Sequence, residues 1–516
     1  MDKNRKKYCW KRIGVGLVLL VLMAGPIGVF FHFNGIRLSP EAMDNAQLAR
    51  NIARGRGFVT GVIRPASRFF NENISGQPDL YQPPLPSLLL AAGFRVFGPS
   101  DRVVVLWALL LFWLAGLLGV SLLRRVWGIG GALLGAALYF TNASLLNAVR
   151  SGDPSLPASL IFITLLVFIY RSENTLGSFL AAGLLCGAGY LSSYSLFWFG
   201  LLPLIWLVFS YRSEAGEGSV RKNLSALAAG FILPLLWWWW RSGYLLPPLR
   251  AAEYKMFTGL FPADSLLRET GRELFGRSAG LKTLIRKWWQ GGETVYGRLL
   301  FFTGSFAVVF FYLALLLPFA DRKWSRIRYF IFGALLLGAG QFVFFARRGD
   351  DIRFLVPAAI PLATAAFIFI LEKMKPARGI ARCLLIVVFV GLNLIPAVDQ
   401  LRISRPPADS TRYNCLRMGD WIPAGEGIVT DQPEAVAWYG DRLALWLPAE
   451  AVAPMGFRYL YLTAAAADYP PVRTGKRVVV WPRVYQAGAR STLWEVEEFI
   501  PLPGDQFLCR IAGARD

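Results

Sequence analysis

Two carboxylates stand three residues apart near the start of a helical pattern. Glu41 and Asp44 precede apolar residues at helical spacing up to Ala53, and Ser39-Pro40 is a typical helix start. Residues three apart share one face of a helix, so both carboxylates should project together near its N-terminus. Ionised carboxylates accept hydrogen bonds and protons, which makes the pair a candidate site. A capped, solvated helix end explains the same pattern equally well.

A third carboxylate stands at the mouth of an apolar segment. Asp153 follows Gly152 and precedes Pro154, and the apolar run begins near Leu156. A carboxylate that faces a cavity at a membrane boundary is a functional candidate by default. The alternative is an N-cap for the helix that follows.

Five charged residues crowd into seven positions before another apolar run. They are Arg347, Arg348, Asp350, Asp351 and Arg353. An arginine cluster at a membrane interface can hold a phosphate through paired N–H donors. A solvated turn is the plainer interpretation, but so many cations in a turn predicted to be external conflict with the positive-inside tendency.

Prolines restrict the chain before the apolar helix that runs to Phe97. The segment from Asp79 to Pro86 contains Tyr81, a candidate for substrate binding, followed by Pro83 and Pro84. These prolines predict a rigid start to the helix, or only a turn.

The composition leaves little material for several other chemistries. His32 is the single histidine, so Ser-His-Asp catalysis and histidine-based metal clusters are not expected. The five cysteines show no metal-ligand spacing. Cys415 and Cys509, both in the polar tail, are the pair able to form a disulfide, although two unpaired small apolar side chains explain them at least as well.

The chain is too apolar for a soluble protein. Its mean hydropathy is +0.44, and charged residues make up 17% of it. The formal net charge of +22 fits a membrane protein that collects Lys and Arg on its cytoplasmic edge, facing anionic lipid. Membrane lipids are therefore expected partners, and nucleic acid is not.

Apolar runs predict about eleven membrane spans. Basic residues from Lys3 to Arg12 precede the first run, from about Ile13 to Phe31, so the N-terminus should be cytoplasmic and this run a retained span. The other runs begin near residues 103, 126, 155, 176, 195, 224, 299, 328, 354 and 383. Alternate loops are mostly rich in Lys and Arg, which favours an external C-terminus.

Two domains are expected. Residues 1–401 should form an all-α polytopic membrane domain, whose external loop 34–101, the first loop, carries Glu41 and Asp44. After about Arg402 the sequence becomes proline-rich and polar, with β-like runs at 427–430, 458–462 and 477–481. Residues 402–516 should therefore form a small α/β domain outside the membrane.

Four motifs, taken in order, resemble the GT-C glycosyltransferases of the dolichyl-phosphate-mannose protein mannosyltransferase and lipid A aminoarabinose transferase group. They are Asp44 with Ala46, Ala49, Ala53 and Gly55-Arg56-Gly57-Phe58, then Pro83-Pro84-Leu85, then Asp153-Pro154, and last Arg353-Phe354-Leu355-Val356-Pro357. The resemblance covers roughly residues 10 to 400 and, weakly, the tail. The chain departs from the common Asp-Glu pair, because Asn45 follows Asp44; Glu41 is a candidate for the missing carboxylate.

This resemblance implies a GT-C fold and the transfer of a sugar from a polyprenyl-phosphate donor to a lipid, glycan or protein acceptor. The reaction would take place on the extracytoplasmic, periplasmic side of a bacterial inner membrane. It would be inverting, because a single displacement occurs at the sugar carbon. The resemblance leaves open whether a divalent cation takes part, since metal use varies in the group. No other cofactor is expected. The tail is not required for the chemistry and would help to select the acceptor.

The resemblance also assigns roles to residues. Asp44 would be the general base, and Asp153 would orient the acceptor or assist Asp44. Arg353, with Arg347 or Arg348, would neutralise the departing lipid phosphate. Glu41, Tyr81 and Asp351 are further substrate-binding candidates.

Two other classes of protein compete with this interpretation. A flippase for lipid-linked sugars would need polar or charged residues in the middle of its spans, and the sequence shows few. A non-enzymatic membrane scaffold would present the tail as a binding surface.

Overall fold

The structure of the protein is a computed structural model. It describes residues 3–71, 76–171, 175–210, 217–249, 285–286, 288–289, 292–293, 302–306, 308–317, 321–344, 353–373, 379–402, 409–448, 457–469, 472–474, 477–479, 481–487 and 494–514.

Helices dominate the described chain, and most of the strands lie in its C-terminal part. The helices are α1 (Lys3–Asn34), α2 (Pro40–Ala53), α3 (Pro84–Phe97), α4 (Asp101–Phe140), α5 (Ala143–Ser151), α6 (Leu156–Arg171), α7 (Leu176–Ser192), α8 (Leu202–Ser210), α9 (Glu217–Ser242), α10 (Val308–Leu316), α11 (Arg322–Phe344), α12 (Val356–Lys373), α13 (Gly379–Arg402), α14 (Ser410–Leu416), α15 (Met418–Trp421), α16 (Pro433–Tyr439) and α17 (Trp481–Ala487). The strands are β1 (Val62–Ile63), β2 (Gly427–Thr430), β3 (Leu443–Trp446), β4 (Tyr459–Leu462), β5 (Val472–Thr474), β6 (Arg477–Val479), β7 (Trp494–Leu502) and β8 (Gln506–Ala514).

The chain divides into two compact units. The helical unit comprises Met1–Leu38, Asp101–Leu245 and Trp288–Arg405. The loop–tail unit comprises Ser39–Ser100, Leu246–Lys287 and Pro406–Asp516. Most of the first loop therefore shares a unit with the tail, while the domain boundary at residue 402 stays a prediction.

The helical unit has the apolar helices that a membrane protein needs. Within the described residues, four helices are long and apolar enough to cross a bilayer, judged by length and composition. They are Asp101–Phe140, Val220–Ser242, Arg353–Lys373 and Gly379–Gln400. The predicted combination of a helical membrane part with a small sheet domain is confirmed, and the number of spans stays a prediction.

The first of these helices, α4, contains a break. Trp127 and Gly128 have non-helical backbone angles, and Gly128 has φ +64°, a conformation that glycine adopts without steric cost. The break falls just after Arg124 and Arg125, where the apolar pattern predicts the end of one span and the start of the next.

Buried amides join segments of the helical unit. Asn142 Nδ2 donates to the carbonyl of Thr303 at 2.9 Å, and Asn393 Nδ2 donates to the carbonyl of Leu138 and to Thr141 Oγ1, both at 3.0 Å. A buried amide without partners is costly, so these bonds favour one packing of α13 against the end of α4.

A six-stranded sheet forms the centre of the loop–tail unit. Its strand order is β1-β3-β2-β4-β8-β7. The first four strands are parallel, and β8 and β7 run antiparallel at one edge. The runs predicted at 427–430 and 458–462 form β2 and β4. β5 and β6 pair separately.

The edge strand β1 comes from the first loop rather than from the tail. Val62 and Ile63 pair with Ala444 and Leu445 of β3. Because successive strand residues point to opposite faces, Val62 packs into one apolar core and Ile63 into the other. The two tail cysteines are free and buried, Cys509 in the core with Ile63 and Cys415 in the core with Val62.

Helix α2 begins where the sequence predicts. Ser39 Oγ accepts the backbone N–H of Ala42 at 3.1 Å, and Pro40 occupies the first turn. At the other end of α2, the buried Arg50 donates to the carbonyls of Ala437 and Trp438, both at 2.7 Å. These carbonyls end α16, so one arginine joins the two helices by their C-terminal ends.

We predict that replacing Arg50 destabilises the loop–tail unit far more than replacing its neighbour Arg54. Both pair with Asp441, at 2.7 and 2.8 Å, but Arg50 is buried and Arg54 is exposed. Arg50→Ala leaves two helix carbonyls without their donor and should lower the free energy of unfolding by roughly 2–4 kcal/mol. Arg54→Ala should cost under about 1 kcal/mol.

Thermal melting of the full-length protein in detergent, with protease cleavage of the tail as a second readout, measures the difference. Equal melting temperatures for the two variants would contradict the importance of the buried contacts.

Candidate active site

Three donors hold the Asp44 carboxylate in one orientation. Asp44 lies in the second turn of α2 and is 2% exposed. Its Oδ1 accepts a hydrogen bond from Gln47 Nε2 at 3.1 Å, and its Oδ2 accepts one from Gln82 Nε2 at 2.8 Å. Oδ2 also pairs with Arg64 Nη2. Since these donors belong to three separate segments, the carboxylate is fixed by tertiary structure rather than by α2 alone.

Gln47 connects Asp44 to the strand side of the first loop. Its Nε2 also donates to Thr60 Oγ1 at 3.1 Å, and its Oε1 accepts the backbone N–H of Gly61 at 2.8 Å. Both the nitrogen and the oxygen of this amide are therefore hydrogen-bonded, and these bonds align α2 with the residues that lead into β1.

Arg64 lies between two buried carboxylates. It directly follows β1, and its Nη1 lies 3.4 Å from Asp79 Oδ2 while Nη2 pairs with Asp44. Its Cζ is 4.6 Å from the centroid of the Tyr81 ring, a cation–π contact. Tyr81, a predicted substrate-binding residue, thus contacts the group that holds Asp44.

The two carboxylates keep Arg64 charged. Burial alone would disfavour the guanidinium, but Asp44 and then Asp79 raise the pKa of Arg64 above its ordinary value. Burial raises the pKa of Asp79, and Arg64 opposes that effect. Asp79 Oδ1 also accepts the backbone N–H groups of Tyr81 and Gln82, at 2.8 and 2.5 Å, which fixes the turn before α3.

Glu41 and Asn45, the neighbours of Asp44 on α2, differ in burial. Glu41 is exposed, whereas Asn45 is buried. Asn45 Nδ2 donates to the carbonyl of Glu41 at 3.0 Å, and Asn45 Oδ1 accepts from Ser87 Oγ at 2.8 Å. Where the resembled group has an acidic residue, this chain has an amide that links α2 to α3.

Asp153 and Arg353 form a second charged pair, within the helical unit. Asp153 is 6% exposed, and its Oδ2 lies 3.1 Å from Arg353 Nη1, whose side chain is 58% exposed. Asp153 Oδ1 accepts the backbone N–H of Ser155 at 2.8 Å. The same carboxylate therefore fixes the turn that leads into α6 and binds an arginine. The predicted site residues Arg347, Arg348 and Asp351 lie outside the described residues.

Three of the residues around Asp44 were not among the predicted site residues. Gln47 lies three positions after Asp44, so helical spacing alone could have selected it. Arg64 and Gln82 reach Asp44 through tertiary contacts, for which the local sequence has no signal.

One part of the sequence matches a known family model. Residues 81–240 match the model of the dolichyl-phosphate-mannose-protein mannosyltransferases. No curated protein sequence matches the chain.

Several solved structures have a similar fold. One is ArnT from Cupriavidus metallidurans bound to undecaprenyl phosphate, with a TM-score of 0.56 and 11% identity over 95% of this chain and 97% of that chain. Another is the Archaeoglobus fulgidus oligosaccharyltransferase in complex with zinc and sulfate, with a TM-score of 0.55 and 14% identity over 93% of this chain and 69% of that chain. A third, AglB from Archaeoglobus fulgidus with an inhibitory peptide and a dolichol-phosphate, has a TM-score of 0.53 and 11% identity over 88% of this chain and 70% of that chain.

These similarities define the class of fold, which is that of the GT-C membrane proteins. The predicted resemblance of the chain to the group of protein mannosyltransferases and ArnT is confirmed. Of the four motifs, Pro83-Pro84-Leu85 and Asp153-Pro154 lie within the residues that match the family model.

The residues around Asp44 do not fit a metal ion as they are arranged. Within the described part of the chain, no group of three His, Cys, Asp or Glu side chains is placed to hold one. A divalent cation prefers carboxylate oxygens that other cations leave open, whereas Arg64 already occupies Asp44 and Asp79. In this arrangement the cation that faces both carboxylates is therefore the guanidinium of Arg64.

We predict that Arg64→Met strongly destabilises the loop–tail unit. It leaves two buried carboxylates without their cation, and breaking a buried pair in this way costs roughly 3–5 kcal/mol. The double variant Arg64→Met, Asp79→Asn should recover part of the loss, because one uncompensated charge is removed. Arg417→Met, which breaks the exposed pair with Asp420, is the control and should leave the melting temperature unchanged.

Thermal melting of the purified full-length variants tests this. If the Arg64→Met variant had the same melting temperature as the wild-type protein, the cation shared by the two carboxylates would not be what holds the site together.

Proposed function

We propose that this protein is a membrane glycosyltransferase that transfers a sugar from a polyprenyl-phosphate donor to an acceptor on the extracytoplasmic side. The observation that carries the proposal is the buried, oriented Asp44 carboxylate in a chain with a GT-C fold. The solved relatives that bind undecaprenyl phosphate and dolichol-phosphate support a lipid-phosphate donor. The acceptor is a lipid, a glycan or a protein, and the membrane is the bacterial inner membrane.

Asp44 would serve as the general base. An ionised carboxylate offers about four lone-pair positions, and Gln47, Gln82 and Arg64 use three of them. One position, on Oδ1, remains for the nucleophile of the acceptor. As that nucleophile bonds to the anomeric carbon, the bond from this carbon to the phosphate oxygen breaks and the proton passes to Asp44. A single displacement of this kind inverts the anomeric centre.

The ion pair with Arg64 fixes the orientation of the Asp44 carboxylate. Sugar transfer proceeds through an oxocarbenium-like transition state, in which the nucleophile becomes acidic only as its bond to carbon forms. When the proton leaves late, the fixed orientation of the carboxylate is its main contribution to the reaction.

The departing phosphate needs a cation, and Arg353 is the described candidate. Its guanidinium is held by Asp153, yet the side chain is 58% exposed, so an anion can approach it. Asp153 would orient Arg353 for this task, in place of the direct role at the acceptor that the resemblance implies. The charge on the phosphate grows in the transition state, where a fixed cation stabilises it most.

We predict that Asp44→Asn lowers transfer by about 10²-fold or more, since a positioned general base contributes roughly 10² to 10⁴. Membranes containing the protein are incubated with radiolabelled polyprenyl-phosphate sugars, and the label leaving the lipid is measured. Asp44→Glu, which keeps the charge but displaces it, should also lose transfer. Asp420→Asn makes the same chemical change at an exposed ion pair and should keep wild-type transfer.

Wild-type transfer by a folded Asp44→Asn protein would remove Asp44 from the mechanism. A wild-type protein that consumes no donor but moves labelled lipid between leaflets would instead be a flippase.

We predict that Arg353→Gln lowers the turnover of bound donor by roughly 10²-fold, the loss typical for one donor to a developing charge. Arg353→Lys should recover part of it, because the charge remains while the paired N–H geometry is lost. Arg322→Gln, at an exposed position at the start of α11, is the control. Unchanged turnover in Arg353→Gln would exclude this arginine from the reaction.

A further inference from the structure

A carboxyl group from the tail faces the Asp44 cluster. Glu434 lies in the first turn of α16, one turn before Trp438, whose carbonyl accepts from Arg50. Asp441, just after α16, also pairs with Arg50 and with Arg54 after the end of α2. The C-terminal ends of α2 and α16 therefore meet. Gln47, which precedes Arg50 on α2, and Ala437 of α16 both lie beside Gly61, so the helices run side by side in the same direction.

This arrangement brings the first turns of both helices together. Glu434 interacts with Asp44 and Glu41 of α2 and with Arg64, which follows β1. On the side of α14, Arg412 lies over the Tyr439 ring at 5.3 Å, at the opposite end of α16. The cation in this set that faces Glu434 is thus Arg64, which Asp44 and Asp79 already share.

A negative charge on Glu434 would be poorly compensated at this position. Burial, and then the negative charge of Asp44, raise the pKa of Glu434 to about 8. At pH 7 its carboxyl group is therefore mostly protonated and neutral, and it does not compete for Arg64.

We propose that Glu434 is a positioning residue of the Asp44 site, which as a neutral acid leaves Arg64 to Asp44 and as an anion draws Arg64 away. The inference rests on the proposed transfer reaction, because positioning has meaning only for a working base. The tail would therefore contribute to the electrostatics of the active site, and alkaline pH should weaken the ion pair between Asp44 and Arg64.

The sign of the pH effect follows from proton binding. A free glutamate has a pKa of about 4.3, so between about pH 4.3 and 8 the folded state binds a proton at Glu434 that the unfolded state does not. The contribution of Glu434 to stability is therefore fully present at acid pH. It is lost as the pH rises through this window.

The decisive variant is Glu434→Gln, which keeps the neutral form at every pH. With a pKa of about 8, wild-type protein should lose transfer roughly tenfold between about pH 7 and pH 9 as the group ionises. Glu434→Gln should show no such fall. Glu498→Gln, on the exposed part of β7, is the matched control. Its transfer activity should fall at alkaline pH as much as that of the wild-type protein.

A second readout does not require transfer. The melting temperature of the full chain is measured from about pH 6 to pH 9, and the wild-type decrease over this range should be smaller in Glu434→Gln. If Glu434→Gln kept both the alkaline fall in transfer and the wild-type melting profile, the proposal would be overturned. If no donor were consumed at any pH, the proposed function would fail, and the melting profiles alone would decide whether Glu434 titrates beside Asp44.

Discussion

The Arg64 guanidinium between Asp44 and Asp79 is the constraint on which the loop–tail unit depends. A buried cation costs several kcal/mol unless it is paired, so Arg64 can be buried only where both carboxylates meet it. Each member of the cluster belongs to a different segment: α2, the end of β1, and the turn before α3. Satisfying this one cation therefore fixes a helix, a strand and a turn relative to each other.

The parallel sheet explains why the cation lies where it does. Side chains that follow parallel strands collect at one edge, where α/β sheets commonly place their binding groups. Arg64 follows β1 at this edge, as Asp431 follows β2, and both are buried. β1 is held there by its pairing with β3 of the tail. The partner of Asp44 is thus positioned by strands that lie far away along the chain.

Local rules were sufficient for part of this structure. Ser39-Pro40 predicted the start of α2 because capping depends on adjacent residues, and the apolar runs predicted β2 and β4. The same rules gave no signal for β1, because two apolar residues are too few to indicate a strand without its partner. Asp44 was selected as a candidate for its place on a helix, whereas Arg64 and Gln82 could be found only after the segments had come together.

The chemistry proposed for Asp44 depends on these distant segments. A solvated carboxylate on an isolated helix would be free to rotate and would accept a proton from any direction. Three donors remove that freedom and direct the remaining lone pair of Oδ1 at one point. Anything that shifts the tail against α2 therefore changes the orientation of Asp44, because Arg64, which pairs with Asp44, directly follows a strand that is held by the tail.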